Sequence, residues 1–292
     1  MNERRAAVLF IAPALTIILL FFLIPAAASL LLSLTDFDIY ALASVHNIRF
    51  VALRNYGELL RNPLFWKALF NTLYYTVVGG PLTLTVSLAT ALLVNAKAAK
   101  WKGLWRTVYF APIVTSIVAV AVVWKYLYHP RFGLLNRGLS HLGIPAIDWL
   151  GDPHWAMPAL ILLSVWKNFG YNMIIFVAAL QSIPEELYEA ARIDGASAWR
   201  QFRHVTLPML APITALVSIL TTAGYFQLFA EPYVMTQGGP LQSTTSVLYF
   251  MYEEGFKWWN LGFASAIAFI LFVLMFAVTM LQLYVAWLRE AP

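Results

Sequence analysis

Long apolar runs separated by short polar stretches dominate the chain. They fall at about 6–34, 68–95, 107–124, 155–180, 208–230 and 261–288. Each reaches the roughly 17–25 residues with which a helix crosses a bilayer's hydrocarbon core. The pattern predicts six membrane-spanning helices and an all-α integral membrane protein, organised as one transmembrane domain over residues 1–292. Prolines inside the runs (Pro13, Pro25, Pro81, Pro112, Pro158 and Pro212) are compatible with this, because neighbouring groups re-satisfy the backbone that proline frees in membrane helices. Arg4 and Arg5 ahead of the first run, and Ala26-Ala27-Ala28-Ser29 near its end, imitate a signal peptide. The apolar part is about twice the usual 7–15 residues, so it reads as a span.

Between the fourth and fifth runs stands a polar segment, 182–208, written SIPEELYEAARIDGASAWRQFRHVTLP. Ser182 and Glu185 fit a capping box, and Pro184 suits a helix's first turn. Leu187, Ala190, Ala191 and Asp194 recur at helical spacing. Gly195 supplies the left-handed residue that stops a helix without steric cost. A second short helix is expected from about Ser197, with Trp199, Phe202 and Val205 on one side and Leu207-Pro208 at its end. Such a bent pair with a small-residue corner suits close approach by another surface, with charges giving register. An amphipathic connector resting on lipid headgroups fits the pattern equally well.

Composition strengthens the membrane reading. Of 292 residues, 61% are hydrophobic and 11% charged, against about 25% charged in soluble domains. Without cysteine there is no disulfide framework and no thiol nucleophile. The net charge of +5 calls for no nucleic acid; basic residues near span ends meet anionic lipid and set orientation. Arg4, Arg5, Lys97, Lys100, Lys102, Arg106, Arg192, Arg200, Arg203 and Arg289 lie densely in one set of loops. Arg49, Arg54, Arg61, Lys67, Lys125, Arg131, Arg137 and Lys257 are spread more thinly over the other. This bias puts both termini and the 182–208 loop in the cytoplasm.

Span four holds Ser164, Lys167, Asn168, Tyr171 and Asn172. Spacings of three and four place Ser164, Asn168, Tyr171 and Asn172 on one stripe, which avoids lipid by facing the bundle interior. Lys167 near mid-span needs a partner or a wet cavity. Either the stripe binds a hydroxyl-rich solute, with Tyr171 and Tyr225 offering ring faces, or it glues helices together at about 0.6–2 kcal/mol per contact. Glu231, next to Pro232, is expected to be an interfacial carboxylate, and Lys125 to snorkel to the headgroups.

The segment Glu189-Ala190-Ala191, three residues, Gly195, nine residues, then Val205-Thr206-Leu207-Pro208 resembles the EAA loop of ABC importer permeases, with Val205 in place of isoleucine. Further stretches are similar to the carbohydrate-importer branch: Phe50-Val51-Ala52-Leu53-Arg54-Asn55-Tyr56, Asn71-Thr72, Tyr109-Phe110-Ala111-Pro112, Val165-Trp166-Lys167, and Tyr233 through Pro240, read YVMTQGGP. The last of these and the six-span count look like the maltose-type F-like half. The resemblance implies a six-helix type I permease bundle whose EAA helix seats on an ATPase subunit, with Glu189, Ala190, Ala191, Asp194, Gly195, Leu207 and Pro208 carrying coupling. It also implies substrate contacts at or near Ser164, Asn168, Tyr171, Thr221, Gly224, Tyr225 and Leu228, with Lys167 in the pathway and Gln227 as a displaced amide. Tyr225 and Leu228 stand where the maltose permease has asparagines, so maltose itself is not implied. The implied partners are a G-like second permease, an ATPase dimer holding ATP and magnesium, and an extracytoplasmic substrate-binding protein, assembled in a bacterial or archaeal inner membrane.

The sequence has no G-x-x-x-x-G-K-[ST], H-E-x-x-H or G-x-S-x-G motif. His46, His129, His141, His154 and His204 show no ligand spacing. No catalytic residue, metal site or cofactor is therefore assigned to this chain. The expected function is sugar import by alternating access. Alternatives are a glycerol 3-phosphate or other phosphorylated-polyol cargo, with Lys167 meeting the phosphate, and an ion-gradient-driven transporter, for which the spans lack a buried acidic pair.

Overall fold

The structure is a computed structural model that describes residues 3–42, 48–96 and 98–290. His46 and Lys97 lie outside the described residues, as do the side chains of Arg4, Arg5 and Arg289. Regular structure among the described residues is helical apart from a bridge between Thr35 and Phe50. Among the described residues, five helices are long and apolar enough to cross a membrane, or six if a bent pair is counted as one span.

The first run forms α1 (Glu3–Ile18) and α2 (Ile24–Ser33), joined by a π-turn at Leu19–Leu23. Phe10, Phe21 and Phe22 are fully outward-facing, as lipid-exposed residues are. The short α3 (Arg54–Arg61) is tied back to the end of α2 by Asn55, whose amide donates to the Ser33 and Thr35 carbonyls at 2.8 Å each. The Ser33 and Tyr56 hydroxyls meet at 2.7 Å. These segments and Phe250–Val273 make one compact unit.

The second unit, Lys67–Tyr249 with the chain from Leu274 onward, holds the long central helices. The helix α4 (Pro63–Asn95) runs through Pro81 without a break. The third apolar run, expected as one helix over 107–124, is instead α5 (Lys102–Val114) and α6 (Ile117–Leu127), meeting at 99°. Thr115 and Ser116 are extended there (ψ 146° and 132°), just after Pro112 has removed one helical donor. Beyond α7 (Leu134–Ser140), Asn136 organises the loop by bonding the Pro130 and Ile147 carbonyls, the Ile147 amide and the Trp149 indole.

The most deeply packed span is α8 (Pro153–Gln181), capped by Asp152, whose carboxylate accepts from the His154 amide. Bonds from the His154 amide and ring hold the Asp152 carboxyl below its ordinary range. Packing of α5 on α8 is close enough that a Cβ on Gly170 would lie 1.7 Å from the Tyr109 carbonyl oxygen.

The loop helices are α9 (Glu185–Ile193) and α10 (Ala198–Gln201). The expected capping box at Ser182 does not form. Pro184 occupies the N-cap, and the Ser182 hydroxyl donates back to Ala179 O at the end of α8. Nor does the second helix stop at Leu207-Pro208: a π-turn at Phe202–Thr206 leads into α11 (Leu207–Met209), and the break comes at Leu210. That widened turn, closed by Leu207 N to Phe202 O, accommodates Pro208, which has no N–H to give. Span five is α12 (Ala211–Phe226) and α13 (Ala230–Met235), separated by Gln227, Leu228 and Phe229. After α14 (Val247–Tyr252), the chain ends in α15 (Leu261–Glu290).

Candidate functional site

A cavity of about 570 Å³ opens among α4, α5, α6, α8, α12 and α13, within the second unit. That size falls in the roughly 300–1,000 Å³ range of small-molecule sites. Eight of the nine substrate-pathway residues expected from the sequence line it: Lys167, Asn168, Tyr171, Thr221, Gly224, Tyr225, Gln227 and Leu228. Ser164, the ninth, is fully buried behind the wall. Tyr75, Ile113, Ile117, Asn172, Leu220, Phe229, Ala230, Glu231 and Leu248 complete the lining.

The stripe both joins helices and faces the cavity. Asn172 Nδ2 donates to Thr221 Oγ1 at 2.9 Å and joins α8 to α12, while both residues also face the cavity. Asn168 Nδ2 bonds its own helix at Ser164 O. Ser164 is pure helix glue, accepting from the Tyr75 hydroxyl and donating to Glu231 Oε1 at 3.3 Å. Tyr225 is fixed on three sides. Its hydroxyl meets Thr83 Oγ1, its ring packs 4.8 Å from that of Tyr75, and Gly79 leaves room that a Cβ would fill, 2.3 Å from Tyr225 Cε1. The cavity therefore presents immobile ring and amide surfaces.

Lys167 is held at the α5–α6 bend. Its ammonium donates to Thr115 O at 2.7 Å and Pro112 O at 3.0 Å, and approaches Ile113 O at 3.5 Å. These carbonyls lie where α5 ends and helical donors run out; Pro112 O also accepts from the Thr115 amide and hydroxyl, and the lysine adds further donors and complements the dipole of α5. Replacing it removes the side-chain donor to Thr115 O, and an acceptor left unpaired costs about 1–3 kcal/mol, reduced by whatever water enters the cavity. Lys167→Met is expected to lower the apparent melting temperature in detergent by about 4–8 °C, the equivalent of about 2 kcal/mol. Thermal unfolding of the purified variant checks this, and an unchanged midpoint would show that the bend stands without the lysine.

Glu231 is the main correction to the sequence reading. Gln227, Leu228 and Phe229 interrupt the span, with the Ser246 hydroxyl donating to Leu228 O and Phe229 at φ −143°, ψ −56°. The short α13 then packs against α6, and Glu231 in its first turn lines the cavity. An uninterrupted helix would have carried it toward the interface. Non-helical backbone at membrane depth is tolerated where it borders a cavity or is covered by protein, and both conditions hold here. Tyr75 was also missed; a hydroxyl-bearing aromatic in mid-span was the available signal.

The 182–208 loop forms the expected corner. Gly195 has φ +72°, Gly195 N donates to Arg192 O at 3.0 Å, and Ala196 N donates to Ala191 O at 2.8 Å. These two bonds are the Schellman pattern that closes a helix on a left-handed residue. Ser197 caps the next segment, its hydroxyl accepting from Arg200 N at 3.5 Å. Arg192 sits 3.2 Å from Glu185 and 3.8 Å from Glu189. No side chain of α9 is buried, and Ile193 is 86% exposed at the corner. The structure brings Glu189, Ala190, Ala191, Asp194 and Gly195 together in this helix and its cap, whereas Leu207 and Pro208 lie beyond the following turn at the start of the span.

Three comparisons bear on this arrangement. Residues 6–287 match the profile of the family described as "Binding-protein-dependent transport system inner membrane component". The chain is 36% identical over 287 residues to the lactose transport system permease protein LacF of Rhizobium radiobacter, covering 97% of this chain and 94% of that protein. It is 34% identical over 292 residues to the trehalose/maltose transport system permease protein MalF of Thermococcus litoralis, covering 99% and 96%. Its fold resembles that of a chain in the crystal structure of a bacterial ABC transporter involved in import of the acidic polysaccharide alginate, with a TM-score of 0.83 at 22% identity over 99% of this chain and 98% of that one.

Proposed function

This chain belongs to the family of binding-protein-dependent transport system inner membrane components, and from that premise we propose that it is the sugar-conducting permease of an ATP-driven importer. The observation that carries the cargo class is the cavity of amides, hydroxyls and fixed tyrosine rings, since hydroxyl-rich solutes are recognised by such groups. The names of similar permeases, for lactose and for trehalose or maltose, support the same class. A phosphorylated polyol is less well supported, because the ammonium nominated to meet its phosphate is already bonded to the α5–α6 bend.

In this reading the chain is one transmembrane permease domain with both termini and the Gly195 corner in the cytoplasm. The corner docks on an ATPase dimer, which holds ATP and magnesium; a second, G-like permease completes the pathway, and a substrate-binding protein delivers cargo from outside. Closure of the ATPase dimer moves the corner and turns the cavity outward, and nucleotide release returns it. Each ligand acts only through its differential affinity for the two states.

Affinity purification of the tagged chain from its native host tests the proposal. An ATPase subunit and a second six-span permease are expected to copurify from mild detergent. Recovery of this chain alone across several detergents, with nucleotide present, would make the loop a lipid-facing connector and favour gradient-driven transport.

A further inference from the structure

Two charged residues line the cavity, Lys167 and Glu231, and they are not equivalent. The ammonium has three protons and three carbonyl neighbours, at 2.7, 3.0 and 3.5 Å, all belonging to the α5–α6 bend. It has no donor left to offer a solute. The carboxylate of Glu231 faces the Ser164 hydroxyl and its own amide, whereas an ionised carboxylate offers about four lone-pair sites. Ion pairs among the described residues lie elsewhere, in the loops. The cavity thus carries a carboxylate with open acceptor sites on one wall, while the donors of its ammonium are directed at backbone.

From this asymmetry we infer that Glu231 is a specificity-determining residue, anchoring a pair of hydroxyl or amine donors of the cargo. The inference rests on the cavity being the cargo site. Two neighbouring hydroxyls of a neutral sugar match the two oxygens of a carboxylate, and bonds to a charged acceptor are the stronger ones. A phosphate or uronate presents acceptors where this wall presents acceptors too, and so forfeits these bonds. Neutral or amino sugars are therefore the accepted class.

The chain has no cysteine, which makes a direct test practical. Gly224 is exposed on the cavity wall, and a Cβ there meets nothing within 4 Å, so Gly224→Cys places one thiol in the site. The full-length variant in membranes is treated with 2-(trimethylammonium)ethyl, 2-sulfonatoethyl or neutral aminocarbonylethyl methanethiosulfonate. Each rate is normalised to that of the same reagent with a free thiol in solution. A field focused in a low-dielectric cleft changes local ion concentration by about tenfold or more. The cationic-to-anionic ratio is therefore expected to fall by at least about tenfold when Glu231→Gln removes the carboxylate charge, and to persist after Glu231→Asp.

In Gly224→Cys combined with Lys167→Met, which leaves Glu231 as the charged residue of the lining, a ratio of one or below would overturn the inference, even if the glutamine variant failed to insert. So would a ratio unchanged by Glu231→Gln, or failure of the neutral reagent to reach the thiol. The readout needs neither cargo nor partners. Charge selection with no copurifying ATPase would sink the importer reading and leave Glu231's role intact; the reverse result would sink the inference alone.

Discussion

Gly195→Asp is expected to leave the chain inserted in the membrane while ATP-dependent uptake falls below about a tenth. At φ +72° a side chain is strained, and aspartate is among the few residues that tolerate this conformation, so the fold survives. A Cβ there meets open space, which means that the substituent projects from the corner rather than into the protein. If that corner seats in a partner, an added carboxylate must be desolvated without a counter-charge. A loss of about 2–3 kcal/mol corresponds to roughly thirty- to a hundred-and-fifty-fold in an equilibrium. Gly195→Asn separates the causes, since it has nearly the same shape and αL tolerance without the charge; it should retain most of the uptake. Uptake, membrane insertion and recovered ATPase measured together decide the matter. Normal uptake by the aspartate variant would count against a coupling role for the corner.

Gly170→Ala should have the largest effect on stability. Its Cβ would lie 1.7 Å from the oxygen and 2.5 Å from the carbon of the Tyr109 carbonyl. The obstruction is backbone, so no rotamer change relieves it, and α5 must move off α8. Overpacking of cores costs about 1–3 kcal/mol and occasionally more. Displacing α5 here also pulls on Lys167, one turn earlier on α8, whose bonds end at Pro112 and Thr115. A loss of about 3 kcal/mol or more is expected, seen as little folded protein and a lowered melting temperature in detergent. Gly103→Ala, on α5 itself, is the control. Its Cβ meets nothing within 4 Å, so it should be neutral or stabilising by about 0.5–1 kcal/mol. Equal behaviour of the two variants would show that close approach of α5 and α8 is not what Gly170 provides.

The features that could be read from sequence are those whose cause is local. Span lengths follow from apolar run length, and the Gly195 corner follows from one residue able to take φ +72° after a helix-compatible segment. Asn168, Tyr171 and Asn172 were legible as one wall of the cavity because helical periodicity puts them on one stripe and lipid refuses polar groups. Ser182 went wrong because the same hydroxyl suits the start of one helix or the end of another, and Ala179 O was the nearer partner.

Sequence by itself thus determined a helical membrane protein, its Gly195 corner and the polar stripe of α8, each set by neighbours within a turn or two or by the exclusion of polar groups from hydrocarbon. Tertiary structure alone decided how the two charged residues of the cavity are presented. The 99° bend at Thr115 claimed the Lys167 ammonium, and the break at Gln227, Leu228 and Phe229 turned Glu231 inward. Both outcomes depend on backbone groups freed in one element and satisfied by another more than 15 residues away, as with Ser246 on Leu228 or Lys167 on Thr115. No periodicity encodes such a pairing, because unmet hydrogen-bonding groups at membrane depth take whichever partner the packed helices bring within reach.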